Sequence, residues 1–469
     1  MTKIEEPHTS PSTTKELTGP TQALAAFTAG ADLDSVPPAV RDIARSALLD
    51  TVGCALFGSR FAWSRLIAQW VQEQGGIKEC SLWQFSYRAA APNVALALGV
   101  MAHSYDFDDY HTAKVHPGAV VVPAAFSLAE ARGATGRELL TAIVAGYETM
   151  IRVSLATGPA ASRTLGWHLT GTTGTFGAAA AASRLRGLDT ATTASALGLA
   201  GTQSAGLWAF TADGSQSKRF HPGRSAQSGL IAADLAERGF LGPTQILEAT
   251  DGGFCQATSD DYDLTRVTDH LGERFFTEDA VIKPYACCGS MHSSIDAIRD
   301  LMAENELVPS SIDRVVCHTS PVVIQQCGYV YEPLSVLQAQ MSGQYALAVT
   351  ILDGNALVPQ FTPERIGQAD VLEMAGKVDF AVDPEIAACY PERFAGRVEV
   401  ILKDGYRLHR RVDYPRGSRQ YPMQRSDRLA KFHSLADEVV GGARAADIVD
   451  ALEHVEEVDN VQDLARLLR

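Results

Sequence analysis

The stretch PAVRDIARSALLDTVGC, residues 38–54, carries apolar side chains at three- and four-residue spacing behind a proline pair, Pro37-Pro38. That period predicts an amphipathic helix. Proline is tolerated in its first turn because the N–H it lacks would have no partner there. Helical patterning continues outward over residues 90–103, 136–157, 177–185, 190–203 and 225–238, several of them dense in Ala and Gly. Small residues let helix axes approach closely, and a helix apolar on every side belongs in a core. Residues 20–267 therefore read as one large helical domain.

The texture changes near residue 268. IDRVVCHTS (312–320) and RVEVILK (397–403) show β-branched alternation, and the second runs through Asp404-Gly405, a hairpin signal, into residues 406–412. Residues 338–353 and 365–375 read as helices between these strands. The expectation is a smaller α+β domain over residues 268–412, with residues 413–469 returning to the helical body as charged amphipathic helices. Residues 1–19, polar and rich in Ser, Thr and Pro, read as a disordered tail. The fold class is mainly α with an inserted α+β domain.

A chain of 469 residues with 46% hydrophobic and 20% charged residues has the material for two folding units. Its net charge of −15 argues against nucleic acid or an anionic membrane as partner. Eight cysteines without a Cys-x-x-Cys pair are too sparse for a disulfide scaffold and suit a reducing cytoplasm. The first nineteen residues hold no apolar signal segment. The apolar run 118–131 is broken by Pro123 and Glu130 and is too short to span a bilayer. Together these features predict a soluble cytoplasmic protein.

Against that background several polar islands stand out. HSYDFDDYHTAKVH (103–116) sets Asp106 and Asp109 three apart, so on a helix end they would share a face. Crowded carboxylates repel, so one of them stays protonated near neutral pH or is held ionised by a cation. Three readings fit: a Mg²⁺ site, an acid–base site using the histidines, or a solvated helix end. In GWHLTGTTGTFG (166–177) the glycines suit a tight helix contact, and His168 is either a core residue or a cavity wall. DGSQSKRFHPG (213–223) concentrates Lys218, Arg219 and His221 in an acidic protein. IKPYACCGSMH (282–292) puts Lys283 at the expected inter-domain crevice, and QAQMSGQY (338–345) ends on Tyr345. There is no metal-ligand spacing and no cofactor motif. Two lysines, an arginine, several histidines and a tyrosine suit a small polyanion on which protons are removed and returned.

These segments, with VHPGA (115–119), SKRFHPGRSAQSGLIAADLAERGFLGP (217–243) and IKPYACCGSMHSSIDAI (282–298), resemble the MmgE/PrpD family, in order along residues 20–465. The resemblance implies a helical domain built from the N-terminal part and the C-terminal tail, an α+β lid between them, a homodimer, and no metal or organic cofactor. It further implies a lyase, decarboxylase or dehydratase, acting on a small di- or tricarboxylic acid such as cis-aconitate or 2-methylcitrate. The alternative is an epimerase of an imino-dicarboxylate such as iminodisuccinate, and a non-catalytic binding protein on this scaffold is the third reading. Carried over residue by residue, Asp106, His116, His168 and Lys218 are the expected catalytic groups. Lys283 and Tyr345 are expected to bind substrate, with Tyr110, His111 and His221 beside them. Tyr110-His111 resembles the fungal decarboxylase branch of the family, and many members carry a lysine where this chain has Gln340.

Overall fold

In the computed structural model, which describes residues 19–469, the helix foreseen from residues 38–54 runs Pro38–Gly58. The tail expected at residues 1–19 lies outside the described residues apart from Gly19. Val40, Leu48 and Val52 of this helix are buried in the largest apolar core. They share it with Val94 and Leu98 of Ala91–Ala102, Val120 and Val121 of Gly118–Arg132, Ile143 of Gly136–Ala156, and Leu230 of Ser217–Glu237. Helix Gly136–Ala156 is long and apolar enough to cross a membrane, yet 94% of its apolar window is buried inside the protein, so it is a core helix.

Two helices begin eight residues before the sequence pattern does: Leu169–Arg186 rather than 177–185, and Ser217–Glu237 rather than 225–238. Both early turns contain residues that normally interrupt helices, and packing overrides that propensity. A Cβ added to Gly177 would sit 2.8 Å from the Gly146 carbonyl oxygen, and one added to Gly99 would sit 2.6 Å from the Gly223 Cα. Glycine is what lets these helix pairs touch. Pro222 lies inside its helix and has no N–H to offer the Lys218 carbonyl, so the first turn is held by its neighbours rather than by its own ladder. The Gly99–Gly223 contact sets Lys218 and His221 beside the loop that follows Ala102.

Between residues 312 and 412 four strands form a sheet in the order Val378–Val382, Ile312–Thr319, Gly396–Leu402, Arg407–Val412. The first pair is parallel, with Val315 opposite Val378. The other two are antiparallel, with Cys317 opposite Val398 and Val398 opposite Arg410. Helix His292–Glu304 packs on the last two strands, and helix Gly343–Asp353 packs on that helix. The single helix expected over 338–353 is broken at Ser342 into Val336–Met341 and Gly343–Asp353, and the Ser342 side chain caps the second piece through the Tyr345 N–H. The second core joins this part to the helical body, since Cys54, Phe57, Tyr105 and Phe107 share it with Ile295, Val315 and Val398.

The C-terminal helices Arg425–Val440 and Gly442–Glu453 lie against Pro38–Gly58, and Val461–Leu467 lies against Gly118–Arg132. Phe432 fills the space over Gly53. Lys431 reaches inward to Asp50 at 2.6 Å and donates to the Phe107 carbonyl at 2.7 Å. The tail thus braces the polar loop described next.

Candidate active site

Helix Ala91–Ala102 ends at the first polar island, and residues 103–117 form a chain of turns rather than a helix end. Asp106 and Asp109 consequently do not share a helical face. Asp106 has φ +53°, a left-handed conformation that a non-glycine residue adopts at some cost, and strain of this kind gathers at functional sites. That backbone turns both its carbonyl and its carboxylate toward one ammonium group: Lys283 Nζ donates to the Asp106 carbonyl at 2.6 Å and to Oδ1 at 3.0 Å. Lys218 Nζ donates to the same Oδ1 at 2.6 Å. His116 Nε2 lies 3.9 Å from that oxygen. Both lysines and Asp106 are buried.

The three aspartates divide according to their partners. Burial alone would raise the Asp106 pKa, but the Lys218 and Lys283 ammonium groups outweigh it and hold the carboxylate well below its usual range. Asp108 is likewise pushed up by burial and pulled well down by His103 and His116. Its two oxygens both lie 2.9 Å from His103 Nδ1, and one lies 3.3 Å from His116 Nδ1. Asp109 has no cation within 4.0 Å among the described residues. Burial raises its pKa to about 7, against the lowering effect of the Tyr147 hydroxyl 2.7 Å from Oδ2. Both outcomes expected of crowded carboxylates therefore occur within four residues.

Two of the three histidines of this loop, His116 and His103, have tautomers assigned by geometry. His116 Nδ1 lies 2.9 Å from the Asp109 carbonyl oxygen, which can only accept, so Nδ1 carries the proton and Nε2 is left for a reacting group. His103 is driven neutral by burial, its pKa lowered to about 3, and it donates Nδ1–H to Asp108. The His116 backbone N–H donates to Thr170 Oγ1 at 3.2 Å, which ties the loop to the helix beginning at Leu169.

His168 stands just before that helix, its ring packed edge-on against Trp208 and Phe210. Its Nδ1 is 2.8 Å from Nδ1 of His221, three residues beyond Lys218 on helix Ser217–Glu237. Burial keeps both rings neutral, lowering His221 to about 4 and His168 well below the usual imidazole value. A cavity of about 40 Å³ opens between the helical body and the sheet-bearing part, walled by His116, His168, Tyr110, His111, Lys114 and Ser290 among others. Small-molecule pockets usually hold roughly 300–1,000 Å³, so an occupant needs these walls to separate. Tyr110, His111 and Phe394 also line a wider outer cleft of about 580 Å³.

The remaining expected residues divide. Tyr110 is buried, with its ring 5.9 Å from Lys283 Nζ. His111 accepts from the Ala113 N–H on Nδ1, while its buried Nε2 has no partner among the described residues. Tyr345 is enclosed by Tyr331 and Phe361, and its hydroxyl donates to the Gln360 carbonyl. Asp106, Lys218, Lys283, His221 and Tyr345 do not line the cavity; the Asp106 cluster reaches it through His116. Gln340 donates to the backbone carbonyls of Tyr105 and Ala286. Arg219, paired with Lys218 in sequence, is buried rather than solvated: its Nε donates to the Ser104 carbonyl at 2.8 Å and its guanidinium lies 4.4 Å over the Trp63 ring.

His103, Asp106, Asp108 and His116 bring one ligand atom each within 4.8 Å of one another, a set with the composition of a cation site. Its donors, however, already face one another. Two ammonium groups occupy the cationic position at Asp106, and both imidazoles turn protonated Nδ1 atoms toward the loop. A divalent ion would have to displace this charge. We expect the purified protein to carry substoichiometric metal by elemental analysis and to keep its melting temperature after dialysis against EDTA. A tightly held ion whose removal lowers Tm would contradict this arrangement.

Sequence reasoning missed His103 and Asp108 as the support for His116, Lys431 as a brace, and Lys114 as a cavity wall. All but Lys431 lie within the quoted 103–116 island, so the local polarity was visible and the partners were not.

The MmgE/PrpD N-terminal domain model matches residues 22–266 and the MmgE/PrpD C-terminal domain model matches residues 285–456. Cis-aconitate decarboxylase of Aspergillus terreus is 28% identical over 456 residues, covering 93% of each chain. Cis-aconitate decarboxylase-like protein oryM of Aspergillus oryzae is 29% identical over 457 residues, covering 92% of this chain and 94% of its own. Human cis-aconitate decarboxylase is 28% identical over 435 residues, covering 90% of this chain and 89% of its own.

Proposed function

The chain belongs to the MmgE/PrpD family, and from that premise we propose that it is a lyase that decarboxylates cis-aconitate without a metal or organic cofactor. The observation that carries the reading is the Asp106 carboxylate clamped between Lys218 and Lys283, 3.9 Å from Nε2 of His116, which is itself a wall of the cavity. The relatives named for cis-aconitate decarboxylation span nearly the whole chain, which favours this substrate over the dehydration and epimerisation of related acids.

In this reading the two ammonium groups bind substrate carboxylates, and each retains N–H donors beyond those given to Asp106. The carbon–carbon bond to the departing carboxylate breaks, its electron pair stays on the substrate carbon, and carbon dioxide leaves. A proton then reaches that carbon. His116 is the donor once Nε2 has taken up a proton from solvent, because its Nδ1–H is committed to the Asp109 carbonyl and only Nε2 can exchange a proton with the cavity. His168, neutral and at the cavity wall, is placed to move a proton on the second side. Residues 268–412 act as the lid that shuts out water, which strengthens these charge interactions. The enzyme works as a cytoplasmic homodimer, in keeping with its eight free cysteines, seven of them buried.

The test is a ¹H NMR time course with cis-aconitate, 2-methylcitrate and iminodisuccinate offered separately. The expected result is consumption of cis-aconitate with release of carbon dioxide, the other two persisting. Turnover of 2-methylcitrate or iminodisuccinate alone would reassign the protein as a dehydratase or an epimerase.

A further inference from the structure

Lys114 has a different environment from the two lysines at Asp106. It lies in the polar loop, lines the cavity together with His116 and His168, and has no carboxylate within 4.0 Å among the described residues. Its Nζ donates to Gln326 Oε1 at 3.0 Å and lies 5.1 and 5.7 Å from the ring centroids of Tyr390 and Phe394. One amide contact leaves two ammonium N–H donors for another group. Arg163 repeats the pattern in part. It is half-buried and does not itself line the cavity, but its guanidinium lies 4.1 Å over Trp208, a cavity wall, and among the described residues it has neither a carboxylate within 4.0 Å nor a hydrogen-bond partner for its Nε.

We propose that Lys114, seconded by Arg163, is a second carboxylate subsite of this cavity, taking a carboxylate that the Asp106 cluster does not hold and so selecting tricarboxylates over dicarboxylates. The proposal rests on the polycarboxylate reading of the site. A cation drawn into a protein without a counter-ion is costly, and an anionic ligand is what removes that cost. Burial lowers the Lys114 pKa to about 8 and the Arg163 pKa to about 10. The Lys114 backbone has φ +63°, a left-handed conformation uncommon for a long side chain, and here it belongs to a residue aimed at the cavity. Ser290 and Gln326 on the same wall supply further polar contacts. Asp106 gives two lysines one carboxylate between them; at Lys114 the counter-charge is left to the ligand.

The experiment compares wild type with Lys114→Met, Lys114→Arg and Arg163→Met, each checked for folding by its melting curve. Binding is measured by calorimetry with tricarballylate, a tricarboxylate that cannot be decarboxylated by this route, and with glutarate, a dicarboxylate. Cis-aconitate turnover is measured in parallel. We expect Lys114→Met to weaken tricarballylate roughly 30-fold or more, the scale for truncating one partner of a buried charge pair. Glutarate affinity should stay nearly unchanged, and the effect on cis-aconitate should fall on KM rather than kcat. Lys114→Arg should recover most of the loss, and Arg163→Met should give a smaller loss of the same kind. Equal tricarballylate affinity in wild type and Lys114→Met would overturn the subsite. So would a loss that Lys114→Arg does not recover. If Lys114→Met fails to fold, an unchanged tricarballylate affinity in Arg163→Met overturns it instead. Wild type that binds tricarballylate through Lys114 but leaves cis-aconitate intact would uphold the subsite and sink the decarboxylase reading. Wild type that binds neither probe would sink both.

Discussion

Lys218→Met is expected to lower kcat/KM for cis-aconitate by roughly 10²–10³-fold while the protein still folds. Methionine roughly preserves the length and apolar stem of lysine and removes only the ammonium group. That group lies 2.6 Å from Asp106 Oδ1 in a buried site. Removing one member of a buried charge pair costs about 3–5 kcal/mol, because the remaining charge is left without its partner. Here Lys283 remains on the same oxygen, so Asp106 stays partly neutralised and the fold survives; the loss falls on the substrate carboxylate instead. Arg219→Met is the control. Its guanidinium serves the Ser104 carbonyl and the Trp63 ring, so its removal should lower Tm and leave kcat/KM within about tenfold. Steady-state kinetics and thermal melts on the two variants separate these effects. Equal kinetic losses would mean that Lys218 acts only as scaffold.

His116→Ala is expected to cut kcat by roughly 10²-fold or more, the usual scale for losing a general acid or base, with a much smaller change in KM. The imidazole is held in one tautomer by the Asp109 carbonyl and steadied by Asp108, itself fixed by His103. His103 shares the Asp108 support but does not line the cavity, whereas His116 does. His116 is half-buried, and its deletion leaves His103 to satisfy Asp108, so the melting temperature should shift little. Near-normal turnover in this variant would transfer the proton-donor role to His168.

What was legible in advance follows the range of the forces involved. The helices beginning at Pro38 and Gly136 and the strands around Asp404-Gly405 are written in local periodicity and turn chemistry, which neighbours in the chain decide by themselves. The polar islands were equally plain, since an acidic loop between two apolar helices needs a reason wherever the chain folds. The strand Val378–Val382 was not legible, because a five-residue segment owes its extended form to parallel pairing with Ile312–Thr319, over sixty residues away. Nor was the helical start at Ser217, which Pro222 and Gly223 contradict locally and Gly99 permits by close approach.

The sequence by itself determined which residue types the site would contain: aspartates, histidines and lysines in a protein otherwise short of positive charge. Only the tertiary structure decided their chemistry. Asp106 and Asp109 are three positions apart, yet one is held ionised by two lysines from distant segments and the other is driven toward neutrality by burial against Tyr147. Lys218 and Lys114 read alike in the chain, yet one is paired with a carboxylate and the other waits for one. Protonation and charge pairing depend on separations of a few ångströms inside a low-dielectric interior, and such distances are set by packing between segments that the linear order keeps far apart.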